Sequence, residues 1–303
     1  MLISRLWIFL VLLSWVPQGA SAMTMPMNHL EIQDNPRALY NISPVMFRQI
    51  IDQVVTAFSP IVRFHGGELK ANYFWDNRLV NASATREGNV WMLNMYGGLA
   101  RRREITPDAF SLVVCHELGH HLGGFPFVSA GLWAADEGQA DYFAAHTCAP
   151  VIWGRDFQGN AIHRYTVDPV AKLYCDRSTL HQTERDLCYR IADAAQSLSN
   201  LLNTIEDARR PVAYKNANNA IHTWATYHGH PKAQCRLETF LNGAICGRKS
   251  DLRVIPAYDM NIVGGSLLEE EKEAARYSCA ERGAVYDGAR PRCWFQQILV
   301  NWD

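Results

Sequence analysis

Three histidines and a glutamate crowd one stretch of ten residues, CHELGHHLGG at positions 115–124. His116 and His120 are four residues apart, and on a helix that spacing sets both side chains on one face, one turn above the other. Two imidazoles so placed can share one metal ion. Glu117 lies about 100° round the helix from His116, beside such an ion and not on it. That is where a base stands to take a proton from a metal-activated water. His121 points elsewhere and is no ligand. A catalytic zinc takes three protein ligands and keeps a fourth position open, and the third ligand is expected in WAADEGQADYFAAH (133–146). There Glu137 and Asp141 share a helix face, so the first can bind metal while the second accepts a hydrogen bond from a ligand histidine and fixes its tautomer. Asp136 competes with Glu137 for the ligand role. Ala134, Ala140 and Ala144 permit the close helix approach this arrangement needs.

The elements that must position these groups are legible as patterns. TPDAFSLVVCHELGHHL predicts a helix with Thr106 as N-cap and Pro107 at its first position, closed by Gly123-Gly124 and Pro126. A second helix is expected from about Gly131 to Cys148. Upstream, apolar spacing predicts a helix over 44–58, and strand-like runs lie at 60–64, 69–75 and 89–96. Further helical patterns fall near 183–204 and 231–243, and residues after 250 read as an irregular tail. The main domain is read at 23–250, with a disulfide-containing segment at 251–303.

The first 22 residues carry Arg5, the apolar run LWIFLVLLSWV, Pro17, and small residues at Ala20 and Ala22. This is the pattern of a signal peptide, with the mature chain expected to begin at Met23. No later segment is long and apolar enough to span a bilayer. The eight cysteines form an even set suited to an oxidising compartment, so a periplasmic or secreted location is expected. Neighbour pairing is the simplest scheme: Cys115–Cys148, Cys175–Cys188, Cys235–Cys246 and Cys279–Cys293. The 29 basic and 30 acidic residues nearly cancel, so nothing in the overall charge calls for a nucleic-acid partner.

Four stretches in order, VNASATREGNVWMLNMYGGL (80–99), HELGH, EGQAD (137–141) and HPKAQCR (230–236), resemble the gluzincin endopeptidases that include HtpX and the CAAX prenyl endopeptidase. The resemblance implies the α+β fold class: a zincin-type domain with a small sheet, an active-site helix and a mainly helical C-terminal half. The strand at 89–96 would border a cleft above that helix, its exposed edge taking extended substrate by strand addition. It also points to His230, and secondarily Asn81, as donors to a tetrahedral oxyanion. Arg236 is suited to bind a carboxylate of the site. The best-known members are embedded in membranes, whereas this chain is cysteine-rich with no span in its body, so prenylated peptides are not implied. The expected function is zinc-dependent hydrolysis of peptide bonds in exported proteins, with His116, His120 and Glu137 as ligands and Glu117 as base. Two rivals are a zinc-holding, chaperone-like binding module with negligible turnover, for which Glu117 has no use, and a non-peptidase zinc hydrolase.

Overall fold

The protein is described by a computed structural model over residues 21–35, 38–216, 225–279 and 286–298. All of the expected leader except its last two residues lies outside these ranges. Helix α1 (Pro44–Phe64) starts at Ser43, whose hydroxyl accepts from the Met46 amide at 3.2 Å. It buries Phe47, Ile50, Ile51, Val54, Phe58 and Val62. The run at 60–64, expected as a strand, is the last turn of this helix. Val62 extends the buried stripe of Val54 and Phe58, and burying that stripe outweighs local strand propensity.

Four strands, β1 (Ser21–Met23), β2 (Glu68–Phe74), β3 (Ala82–Glu87) and β4 (Val90–Tyr96), form one sheet in the order β1-β3-β4-β2. β3 and β4 make an antiparallel hairpin, β2 runs parallel to β4, and β1 pairs antiparallel with β3. Gly88, at φ +59°, supplies the left-handed turn of the hairpin. The expected edge strand at 89–96 is therefore interior, with both sides hydrogen-bonded. Its neighbour β3 stands next to the edge, and β1 holds the edge itself.

After the short α2 (Gly97–Ala100), α3 (Pro107–Leu122) runs through the middle of the molecule. Thr106 caps it by accepting from the Ala109 amide at 3.2 Å, and every residue from Ala109 to Leu122 is buried. A helix buried on all faces is a core element. The next helix, α4 (Glu137–Phe143), starts later than the sequence suggested. Residues 123–136 stay irregular because Ala135 turns its carbonyl to His120 and its strand-like bridge to Phe127. A Cβ on Gly119 would stand 2.8 Å from the Ala140 carbonyl oxygen, so α3 and α4 approach closely only because that position is glycine.

From α4 the chain continues through one π-helical turn (Ala144–Cys148) into α5 (Ala149–Trp153), then α6 (Phe157–Ile162), α7 (Pro169–Ser178) and α8 (Gln182–Ile205). α9 (Ala233–Ile245) packs against both α4 and α8. The tail is more ordered than its composition suggested. It carries α10 (Tyr258–Ile262) and α11 (Leu267–Ala274), and the fully buried Trp294 lies against Gly138 with its Nε1 donating to Thr239 Oγ1 at 3.0 Å.

Disulfides join Cys115–Cys148 and Cys175–Cys188 as neighbour pairing predicts, but the other four cysteines cross, as Cys235–Cys293 and Cys246–Cys279. The tail returns antiparallel along α9, so Cys246 at the helix end meets the first tail cysteine and Cys235 near its start meets the second. No helix among the described residues is long and apolar enough to cross a membrane. Four disulfides suit an oxidising environment.

Candidate metal centre

α3 supplies His116 and His120, fully buried, with ring centroids 4.7 Å apart and ring planes at 89°. α4 begins with Glu137 directly opposite. Ligand atoms of these three residues lie within 4.8 Å of one another, and they are the one such group of histidine, cysteine or carboxylate side chains among the described residues. Glu137 Oε2 is 3.2 Å from His116 Nε2, and its Oε1 is 3.7 Å from His120 Nε2.

The histidine tautomers follow from what faces the other ring nitrogen. His116 Nδ1 donates to Asp141 Oδ1 at 2.7 Å, and His120 Nδ1 donates to the Ala135 carbonyl at 2.8 Å. Both rings thereby keep the Nε2 lone pair for whatever sits between them. His116 Nε2, His120 Nε2, Glu137 Oε2 and Glu117 Oε2 are buried polar atoms without a hydrogen-bond partner among the described residues. Four such orphans in one place are costly unless an ion or water satisfies them. Two imidazole nitrogens and one carboxylate fit a metal ion as a donor set.

Around this group stand three of the remaining expected residues, Asp141, Arg236 and His230. Asp141 is held by Arg236 of α9, which donates from Nε to Oδ2 at 2.6 Å and from Nη2 to Oδ1 at 2.7 Å, with both side chains fully buried. His230 Nε2 lies 3.4 Å from Glu137 Oε1. Asn81, just before β3, accepts at Oδ1 from the amides of Ala82 (2.9 Å) and Met25 (3.3 Å). Asp136 is outside the ligand group: its carboxylate accepts from His228 Nδ1 at 2.9 Å. His121, stacked between Trp91 and Trp133, accepts at Nδ1 from Arg86 and donates from Nε2 to the Met92 carbonyl. Both its nitrogens are engaged away from the centre.

Charges in the cluster are strongly coupled. Burial lowers His120 to about 4. Burial acts on His116 the same way, but the Asp141 and Glu137 carboxylates outweigh it and hold that ring at about 9. Glu137, against its burial, is drawn down to about 2 by His120, His116 and His230. Glu117 is pushed well above the usual carboxylate range, chiefly by burial. A cation held there would compete with protons for the same lone pairs.

Sequence reasoning missed two participants. Thr24 Oγ1 donates to Glu117 Oε1, and its carbonyl accepts from Arg236 Nη1 at 2.6 Å. His228 holds Asp136 beside the ligand Glu137. A threonine so far from the motif along the chain gives no pattern to find, whereas His228 stands two residues before His230 and was open to suspicion. No family model, curated protein or solved structure matches the chain.

Proposed function

We propose that the protein is a zinc-dependent endopeptidase of the gluzincin type, acting on exported proteins in the periplasm or outside the cell. The observation that carries this reading is a buried His-His-Glu group with convergent lone pairs beside a glutamate that belongs to no ligand set. A purely structural zinc site fills its coordination from the protein and has no use for a neighbouring base. Zinc held by His116, His120 and Glu137 would supply Lewis acidity to a scissile carbonyl and to an attacking water.

The chain's own groups do the rest. Glu117 takes the water's proton and returns it to the departing amine nitrogen, so the reaction needs no covalent intermediate. Its place beside the His-His-Glu group, and not within it, leaves it able to take that proton. Arg236 fixes Asp141, Asp141 fixes the His116 tautomer, and the Ala135 carbonyl fixes His120. His230, whose Nε2 lies 3.4 Å from Glu137 Oε1, would donate to the oxyanion that forms on the substrate. Asn81, expected as a second oxyanion donor, accepts the Met25 amide at Oδ1, and through that oxygen it would take a substrate main-chain amide instead.

The test is incubation of zinc-loaded protein with an unfolded protein, with and without chelator, beside Glu117→Gln. Fragments should appear, vanish with chelator, and fall by about 10²–10⁴-fold in the variant while its metal content is unchanged. A Glu117→Gln protein as active as the parent contradicts the mechanism.

A further inference from the structure

Residues 21–25 lie across the centre in a way no helix-packing argument requires. β1 adds to the open side of β3 in antiparallel register, Ser21 opposite Thr85, Ala22 opposite Ala84 and Met23 opposite Ser83. The pairing continues past the strand, with the Thr24 amide donating to the Ala82 carbonyl at 3.3 Å. Then the segment reaches the site. The Thr24 hydroxyl donates to Glu117, the Thr24 carbonyl accepts from Arg236, and the Met25 amide donates to Asn81 Oδ1. Thr24 and Met25 are both fully buried.

Every one of these contacts except the threonine hydroxyl is made by main chain. An extended peptide of almost any sequence meets β3, Asn81 and Arg236 in the same way, because strand addition reads backbone. The side chain that differs, Thr24, occupies the one carboxylate that the proposed reaction needs free.

Resting on the peptidase reading, we infer that residues 21–25 are a built-in occupant of the peptide groove, closing the site until the segment is withdrawn from β3. The groove then has two states, filled by the chain itself or by a foreign peptide. Substrates are peptides able to compete for the β3 edge: extended or unfolded chains, not folded domains. Cleavage at the expected leader boundary, between Ala22 and Met23, removes two of the three β1 pairs but leaves Met23, Thr24 and Met25, with the contacts to Glu117, Arg236 and Asn81, on the mature chain.

Met27 is highly exposed, which offers a place to cut the segment free after the protein has folded. A recognition sequence for a specific protease is inserted between Met27 and Asn28 in the full chain, the folded zinc-loaded protein is cut, and mass spectrometry follows the freed segment. Three readouts are taken: zinc release to a chromogenic chelator, hydrolysis of an unfolded protein, and binding of a synthetic peptide of residues 21–27. Once the segment has left, zinc release and hydrolysis should both rise by about tenfold or more, as expected when a closed state dominates the population. The synthetic peptide should bind and reverse both. Thr24→Pro, which removes the amide to Ala82 and the hydroxyl to Glu117 without a cut, should raise both as well. Unchanged chelator access and hydrolysis with the segment gone, or with Thr24→Pro in a folded protein, overturn the inference. The two proposals separate cleanly. Faster zinc release and peptide rebinding with no hydrolysis in any form leave the closing segment standing and remove the peptidase; full hydrolysis by the uncut chain does the reverse.

Discussion

The molecule holds two clusters of histidine, carboxylate and arginine at α3, and they differ in what they leave unsatisfied. At the start of the helix, His163 spends both ring nitrogens on carboxylates, Asp193 at 2.8 Å and Asp108 at 3.3 Å. Arg190 pairs with Asp108 and Asp156, both at 2.7 Å, and its guanidinium lies 4.4 Å from the Trp153 ring. Among the described residues, no buried side-chain atom of this cluster lacks a hydrogen-bond partner. Toward the end of the same helix, His116 and His120 each spend one nitrogen and hold the other back, opposite a glutamate with an orphaned oxygen. The residue types match, yet one cluster ties α3 to α8 and the other has the donor set to hold a cation. What distinguishes a site from a brace is the lone pair left over, not the presence of histidine.

The sharpest way to break this contrast is through the two arginines. Arg236→Met leaves the buried Asp141 with His116 but without its guanidinium, which should cost about 3–5 kcal/mol in denaturant unfolding and weaken metal binding as the His116 tautomer loosens. Arg190→Met, at a cluster partly open to solvent, should cost only about 1 kcal/mol. Equal losses would show that the two clusters are of one kind.

Next in size is His230. If it donates to the oxyanion, His230→Ala should lower kcat by about 10²–10³-fold with zinc content and KM nearly unchanged. A fall in zinc content, or a rise in KM with kcat intact, would move the residue from the transition state to the scaffold.

The smallest effect belongs to the brace. Burial lowers His163, but Asp108 and Asp193 outweigh it and raise the ring from 6.5 to about 9. The protonated form is therefore favoured by folding. Its contribution is complete below about pH 6.5 and is lost as pH rises to about 9. Urea midpoints across that window should show a decline of ~1 kcal/mol in the parent that is absent in His163→Gln.

The local parts of this arrangement were legible in the sequence. Thr106 and Pro107 mark where α3 begins, and the four-residue spacing of His116 and His120 is a property of the helix alone. Glu137 and Asp141 followed from the same periodicity. The rest depends on partners distant in sequence. Residues 60–64 have strand composition, but Val62 falls on the buried stripe of α1 and tertiary burial decides. β4 became interior because β2 pairs on its far side, which no local pattern announces. The crossed disulfides follow from the tail's return along α9, and Thr24 reaches Glu117 only because β1 joins the sheet at β3.

If the lone pairs of His116, His120 and Glu137 hold one zinc ion, metal content measures it directly. Protein purified without chelator and dialysed against trace zinc should carry about one zinc per chain, and Glu137→Ala, folded by the same unfolding criteria, should carry almost none. A parent protein without zinc, or a Glu137→Ala protein that retains it in full, would contradict the account.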